Sequence, residues 1–317
     1  MPKLQRRHKK SKALPMSKDL RSWLSLFILA LIWGSSFILM KRGMYDEVGG
    51  HIFSDSQVGA LRMAIAGLVM LPFGLMNLRK IKNWKQFAYL LLVGTCGNFF
   101  PAFLFTFAET KLSSGLAGML NSFTPFFTLI LGYLFFKQHI RLKQVIGLVV
   151  AFAGICILVG ILNNAPIEIS LLHVGAILLA TVMYATSLNA IKYKLSEFKS
   201  LEIASLSFTF LAIPAWIVTL CLDTSNVLKT NEHAFEALGY ISILSVFGTC
   251  LALLLFNQII ALKSPMFASS VTYMIPIVAV ILGVFLNHES FHVSQFLGMI
   301  VIVGGVYLVN SKSHKTE

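Results

Sequence analysis

Ten stretches of this chain stay apolar for about 20 residues each, and no other feature of the sequence restricts its fold so tightly. They run approximately from Trp23 to Met40, Val58 to Leu78, Phe87 to Phe107, Leu116 to Phe136, Val145 to Leu162, Leu171 to Ile191, Ile203 to Cys221, Phe235 to Leu262, Phe267 to Leu286 and Phe291 to Val309. A helix rises about 1.5 Å per residue, so such a run covers the roughly 30 Å of hydrocarbon in a bilayer. Backbone in lipid must satisfy its own polar groups, and a helix does so within one segment. The composition agrees, with 56% apolar and 12% charged residues among 317, where soluble domains carry about 25% charged residues. A soluble enzyme, a nucleic-acid binder and a disordered chain are thereby excluded.

The net charge of +13 is a matter of topology. With the N-terminus placed in the cytoplasm, 21 basic residues fall on inside segments, eight of them before the first span. Only Lys41, Arg42, Lys111 and Lys229 fall outside, and Arg62 lies within a span. This is the positive-inside pattern of a multi-pass protein with both termini cytoplasmic. The basic leader and first apolar run lack a small-residue cleavage site and precede nine more spans, so they read as a first span rather than a signal peptide. Cys96, Cys156, Cys221 and Cys250 all fall inside spans, at spacings that suit neither a disulfide framework nor a metal site.

The chain also matches itself at an offset of 151 residues. Ser113 to Val159 aligns without a gap to Ser264 to Asn310, pairing Pro125 with Pro276, Gln144 with Gln295, Gly147 with Gly298 and Gly154 with Gly305. The same offset lays Trp33-Gly34-Ser35-Ser36 over Tyr184-Ala185-Thr186-Ser187, and a Gly-Thr-Cys triplet recurs at Gly94 to Cys96 and Gly248 to Cys250. Each repeat holds five helices. Because five is odd, the second copy enters the membrane from the opposite side, an arrangement that transporters use to build a midplane site between halves.

Trp33 to Phe37 in the first span, Leu61-Arg62 in the second, the mid-helix prolines of the fourth and ninth, and the Gly-rich fifth and tenth together resemble the EamA family of the drug/metabolite transporter superfamily. The resemblance covers about Trp23 to Val309. It implies an all-α membrane protein whose ten transmembrane helices form two inverted five-helix repeats around a central cavity. It also implies alternating access and substrates such as amino acids, other small metabolites or drugs. The expected organisation is a basic cytoplasmic tail at 1–21, repeats at 22–162 and 163–310, and a second cytoplasmic tail at 311–317.

Candidate transport residues follow from helix geometry. Pro125 and Pro276 each remove the amide that would serve the carbonyl four residues earlier, on Asn121 and Thr272, and Tyr273 stands beside the second. Kinked, cavity-lining gates and simple structural kinks are both compatible with that pattern. Trp33 and Ser36 share one helical face, as do Thr181, Tyr184 and Ser187, so they suit either a small amphipathic substrate or helix packing. Asn98, Asn257 and Gln258 are further candidates for the cavity or for interhelical hydrogen bonds. Gly147, Gly154, Gly298 and Gly305 read as close-packing residues.

Arg62 is expected about one turn inside the outer start of its span, facing an outer vestibule and holding an anionic group, unless it snorkels to the interface. The 13 acidic residues all fall at or beyond span ends, which leaves no carboxylate for the membrane centre. Exchange or facilitated transport is therefore expected rather than carboxylate-based proton coupling, with Glu109 and His173 as the groups that would supply a relay otherwise.

His288-Glu289-Ser290-Phe291-His292 fits the HExxH zinc-protease pattern, yet it lies in a short external connection and its repeat counterpart, Lys137 to Arg141, has no metal chemistry. The leading expectation is a non-enzymatic secondary transporter of small organic metabolites in a bacterial-type inner membrane, without cofactor, metal or nucleic acid. It would work in the lipid bilayer as a monomer or homodimer. The alternatives are an intramembrane zinc metalloprotease and a channel or structural membrane protein.

Overall fold

The computed structural model describes residues 18–112, 114–159, 170–287 and 293–310. In chain order its helices are α1 (Lys18–Met44), α2 (Asp55–Asn77), α3 (Trp84–Gly94), α4 (Phe100–Glu109), α5 (Ser114–Asn121), α6 (Thr124–Phe136), α7 (Leu142–Val159), α8 (Leu171–Lys194), α9 (Ser200–Cys221), α10 (Thr224–Thr230), α11 (Ala234–Ile243), α12 (Ala252–Leu262), α13 (Pro265–Ser269), α14 (Val271–Asn287) and α15 (Val293–Asn310). Between α3 and α4, and again between α11 and α12, the helix continues through wide π-type turns, Thr95–Phe99 and Leu244–Leu251. Among the described residues the only extended pairing is a single bridge from Tyr45 to His51.

Sequence signals set the helix ends. Ser54 caps α2 in a reciprocal box, its hydroxyl accepting from the Gln57 amide at 3.2 Å while the Gln57 side chain accepts from the Ser54 amide at 2.9 Å. Asn83 and Ser264 cap α3 and α13 in the same sense. Lys137 ends α6 in the left-handed conformation, with φ of 54°.

Each expected apolar stretch falls on helical structure, but not as ten equal spans. Among the described residues, seven stretches are long and apolar enough to cross a membrane: Lys18–Met44, Asp55–Lys80, Trp84–Glu109, Leu116–Phe136, Leu171–Lys194, Ser200–Cys221 and Ala234–Leu262. Leu142–Ile157, Pro265–Val278 and Phe296–Asn310 are apolar but shorter. The fifth and tenth expected stretches run into residues outside the described set, and the ninth is broken between α13 and α14 at Ser270. The outward faces are apolar, as at Phe27 and Leu31 on α1, Ile213, Ile217 and Leu220 on α9, and Ile300 and Val303 on α15. Apolar surface on that scale suits lipid contact rather than water. The chain is an all-helical membrane protein with several spans.

The helices pack in repeat-related pairs. α2 lies along α9 and α7 along α15, each pair joining equivalent helices of the two repeats. α1 packs on α14 as α8 packs on α5 and α6, and α1 meets α11 and α12 as α8 meets α3 and α4. The α7–α15 crossing depends on glycine: a Cβ added to Gly305 would sit 2.4 Å from the Ala151 nitrogen, and one on Gly154 would sit 2.7 Å from the Ile302 nitrogen. Apolar clusters close the bundle around its centre, one with Leu188, Leu195, Leu206 and Ile259, another with Met44, Phe53, Val58 and Ile241. Between them lies a cavity.

Candidate functional site

The cavity encloses about 1060 Å³ of empty space, part of it open to solvent. Trp33, Ser36, Phe37 and Met40 of α1 face Tyr184, Ser187, Leu188 and Ile191 of α8 across it, the equivalent stripes of the two repeats. Arg62 of α2, Ser207 of α9, Asn98 and Thr249 of the wide turns, Phe105 of α4, and Phe256 and Asn257 of α12 complete much of the wall. Asn121, Thr124 and Thr272 come from the broken helices. Arg62 is the one charged residue in this lining among the described residues.

The recurrent Gly-Thr-Cys triplets mark the two wide turns: the first opens its turn, with Gly94 ending α3, and the second lies inside its turn. A wide turn shifts the hydrogen-bond register and re-aims backbone and side chains, which is why such turns concentrate at functional sites. In the second repeat the effect is explicit. The Trp33 indole donates to the Gly248 carbonyl at 3.0 Å, and its ring meets Phe256 edge to face at 4.9 Å between centroids. Arg62 Nε donates to Thr249 Oγ1 at 2.9 Å, while Nη1 lies 3.8 Å from Met40 Sδ. Gly248 and Thr249 were not singled out from sequence as site residues; the recurrence of their triplet was the available signal.

Arg62 is thus drawn inward, half-buried at the cavity wall, rather than snorkelling to an interface. No carboxylate lies within ion-pair distance of it among the described residues. A guanidinium in this position offers planar, two-pronged donation to a carboxylate or phosphate. Tyr184 stacks with Phe105 nearby, their centroids 6.0 Å apart. Asn257 donates weakly to the Ser200 carbonyl at 3.4 Å and leaves its buried Oδ1 without a partner among the described residues.

The prolines differ from the mid-helix expectation. The fourth apolar stretch breaks after Asn121, and Pro125 sits in the first turn of α6. The Asn121 carbonyl accepts from Thr124 Oγ1 at 2.7 Å, so a local hydroxyl replaces the missing amide. Pro276 does lie inside a helix, α14, but α13 ends about two turns before it. The Thr272 carbonyl accepts from Ser122 Oγ of the other repeat at 3.1 Å. Neither freed carbonyl opens to the cavity as an unpaired group.

Other sequence candidates separate. Tyr273 is fully buried away from the cavity, among Met119, Leu129, Leu148 and Ile302. Successive helical residues point about 100° apart, so Thr272 in the wall turns Tyr273 toward α7 and α15. Gln258 and Thr181 are likewise absent from the lining. Glu109 ends its span, as expected, but is buried in the bundle: it is 3% exposed, and neither carboxylate oxygen has a hydrogen-bond partner among the described residues. It ends a span in sequence, but α4 carries it inward on the same stripe as Phe105, one turn away. His173 stacks on Phe107 at 4.3 Å and places Nδ1 2.6 Å from Ser170 Oγ.

Residues 288–292, which carry the HExxH pattern, lie outside the described residues. Among the described residues no group of three or more His, Cys, Asp or Glu side chains could hold a metal ion.

Known proteins place this architecture. The model of the EamA-like transporter family matches residues 21–160 and again 171–311. An uncharacterized transporter of Archaeoglobus fulgidus is 23% identical over 294 residues, spanning 92% of this chain and 100% of that protein. The uncharacterized inner membrane transporter YedA of Escherichia coli K12 is 26% identical, over 90% of this chain and 89% of its own length. A probable amino-acid metabolite efflux pump of the same organism is 23% identical over 89% and 92% of the two chains. A chain of known crystal structure superposes with a TM-score of 0.67 at 16% identity, covering 92% of this chain and 96% of that one, and so shares the fold.

Proposed function

This chain belongs to the EamA-like transporter family, and from that premise we propose that it is a secondary transporter of small organic metabolites, amino acids or their relatives, working by alternating access. The observation that carries the substrate class is the placement of Arg62. It is a lone guanidinium in a wall of aromatic rings, hydroxyls and amides, steadied by Thr249 and without a carboxylate partner among the described residues. Such a wall fits a compact molecule with an anionic group at Arg62 and an apolar portion against Trp33, Phe105 and Tyr184. The similarity to a probable amino-acid metabolite efflux pump supports the same class.

In this reading ten spans form two inverted repeats, bounded near 22–162 and 163–310. Trp33, Ser36, Arg62, Asn98, Asn121, Tyr184, Ser187, Asn257 and Thr272 contact substrate from the wall, with Tyr273 in support behind Thr272. Pro125 and Pro276 keep the broken helices bendable as gates. Both termini face the cytoplasm of an inner membrane, no enzymatic step or cofactor is involved, and the unit is a monomer or homodimer. The repeat-related packing of α2 with α9 and of α7 with α15 supports a carrier whose halves exchange roles.

Counterflow in proteoliposomes tests the proposal. Vesicles loaded with unlabelled amino acids should take up a labelled amino-acid mixture transiently and saturably. Uptake that is unsaturable and indifferent to the internal load would point to a channel, and no exchange at all would remove amino acids as substrates.

A further inference from the structure

Glu109 is the buried ionisable group for which substrate binding at Arg62 gives no direct use. It ends α4 at 3% exposure, and neither Oε1 nor Oε2 finds a donor among the described residues. α4 packs against α8, α2, α5 and the wide turn Thr95–Phe99. The charged groups whose fields reach Glu109 are Lys41 of α1 and Arg62 of α2; on α8, Tyr184 acts on Arg62 and His173 stands beside Thr110, the wide turn carries the Cys96 thiol, and α5 carries no ionisable group. His173 reaches it only through its neighbour, with Nε2 3.5 Å from Thr110 Oγ1. Lys111, two residues on, is exposed. Neither Lys41 nor Arg62 comes within ion-pair distance.

An ionised carboxylate sealed from water needs several donors, and one without any bears a desolvation cost that a proton removes. The enclosure around Glu109 therefore suits the neutral acid. Arg62 makes the link to substrate. An anion on Arg62 cancels the positive field that Glu109 feels and favours a proton on Glu109, and by linkage the protonated acid favours the anion. When the cavity empties, the field of Arg62 and Lys41 returns and loosens the hold of Glu109 on its proton without abolishing it, so the proton leaves toward the side of lower proton concentration.

We propose that Glu109 is a proton-binding site coupled to substrate through Arg62, so that one proton and one anionic-group substrate occupy the carrier together. This rests on the reading of Arg62 as the substrate anchor, and two measurements keep the failures apart. The first needs no substrate. The infrared spectrum of the purified protein at neutral pH should contain a protonated-carboxyl carbonyl band that disappears in Glu109→Gln and persists, displaced, in Glu109→Asp. The same band in wild type and Glu109→Gln, or no such band in wild type, overturns the proton site.

The second uses proteoliposomes and a labelled mixture of the protein amino acids. With membrane potential shunted, an acid-outside gradient should drive accumulation of up to about tenfold per pH unit in wild type, the limit for one proton. Glu109→Gln should accumulate no more than it does without a gradient. Wild-type vesicles that exchange amino acids but ignore the gradient overturn the coupling, as does Glu109→Gln accumulating like wild type. If wild-type vesicles exchange no amino acid, the substrate class fails, and the infrared measurement alone decides whether Glu109 binds a proton.

Discussion

The Ser122 hydroxyl donates to the Thr272 carbonyl oxygen at 3.1 Å, and that oxygen is the one Pro276 leaves without a backbone amide. The bond joins the two repeats where both broken helices approach the cavity. The one hydroxyl proton is shared with the Gly118 carbonyl, also at 3.1 Å, so removing this buried donor costs part of what an unmet acceptor costs, up to about 1–3 kcal/mol. Ser122→Ala should therefore lower the melting temperature. In a Pro276→Ala background the same change should cost less, because the restored amide at 276 can serve the Thr272 carbonyl. Equal losses in both backgrounds in thermal melts would show that the hydroxyl does not stand in for the amide.

Arg62 provides a second test. Lysine keeps the charge at 62 but loses the planar fork and the bond from Nε to Thr249. Arg62→Lys should raise the half-saturation concentration about tenfold or more while leaving the melting temperature nearly unchanged, the cost of one charge-assisted contact being about 1.5–3 kcal/mol. Unaltered concentration dependence in both Arg62→Lys and Arg62→Gln would eliminate the anchor role.

The α7–α15 crossing makes the opposite prediction. A methyl on Gly305 would lie 2.4 Å from backbone nitrogen of Ala151, which cannot move aside as a side-chain tip could. Gly305→Ala should destabilise the protein by about 1–3 kcal/mol, the usual cost of overpacking. The half-saturation concentration of the folded fraction should stay the same, since the crossing contributes nothing to the cavity wall. A changed half-saturation with an unchanged melting temperature would place that crossing in the transport pathway instead.

Much of this arrangement was legible because lipid and repetition impose simple rules. Apolar runs located the helices, and the Trp33 and Tyr184 stripes, aligned at one offset, do face each other across the cavity. What escaped depended on direction rather than on identity. Thr272 and Tyr273 are neighbours in sequence, and the 100° step between them sends one into the wall and the other behind it. Glu109 stood at the end of an apolar run and read as a boundary residue, although α4 delivers it to the interior. The wide turns were invisible to a period of 3.6 residues, so Gly248 and Thr249 passed as ordinary helix.

Membrane orientation is open to direct measurement. The positive-inside pattern and the odd repeat require reporter fusions after Lys41 and Asn163 to read external and fusions after Lys82 and Lys194 to read cytoplasmic. A cytoplasmic reading after Asn163 would mean that the second repeat is not inverted.

The end of the bundle rich in lysine is fastened across the repeats, and this gives the last prediction. Lys80 Nζ meets Glu202 Oε1 at 2.5 Å, Gln86 Nε2 donates to Glu197 Oε1 at 2.6 Å, and Lys263 pairs with Asp19. Two of the contacts tie a residue of the first repeat to one of the second, and the third ties Asp19, in the first turn of α1, to the second repeat. Lys80 is half exposed, so the pair adds little to global stability, typically under about 1 kcal/mol. Its consequence is for the balance between conformations, because halves that rock apart at this end must break all three contacts together. Combining Lys80→Gln with Asp19→Asn removes two of them and should shift the population toward opening at this end by several-fold, from about 0.5 kcal/mol per pair. A cysteine placed at Asn257, in the cavity wall of an otherwise cysteine-free protein, reports that opening. A membrane-impermeant maleimide added to inside-out vesicles should label it several times faster in the double variant. An unchanged labelling rate, with the protein still folded, would show that these contacts do not hold that end closed.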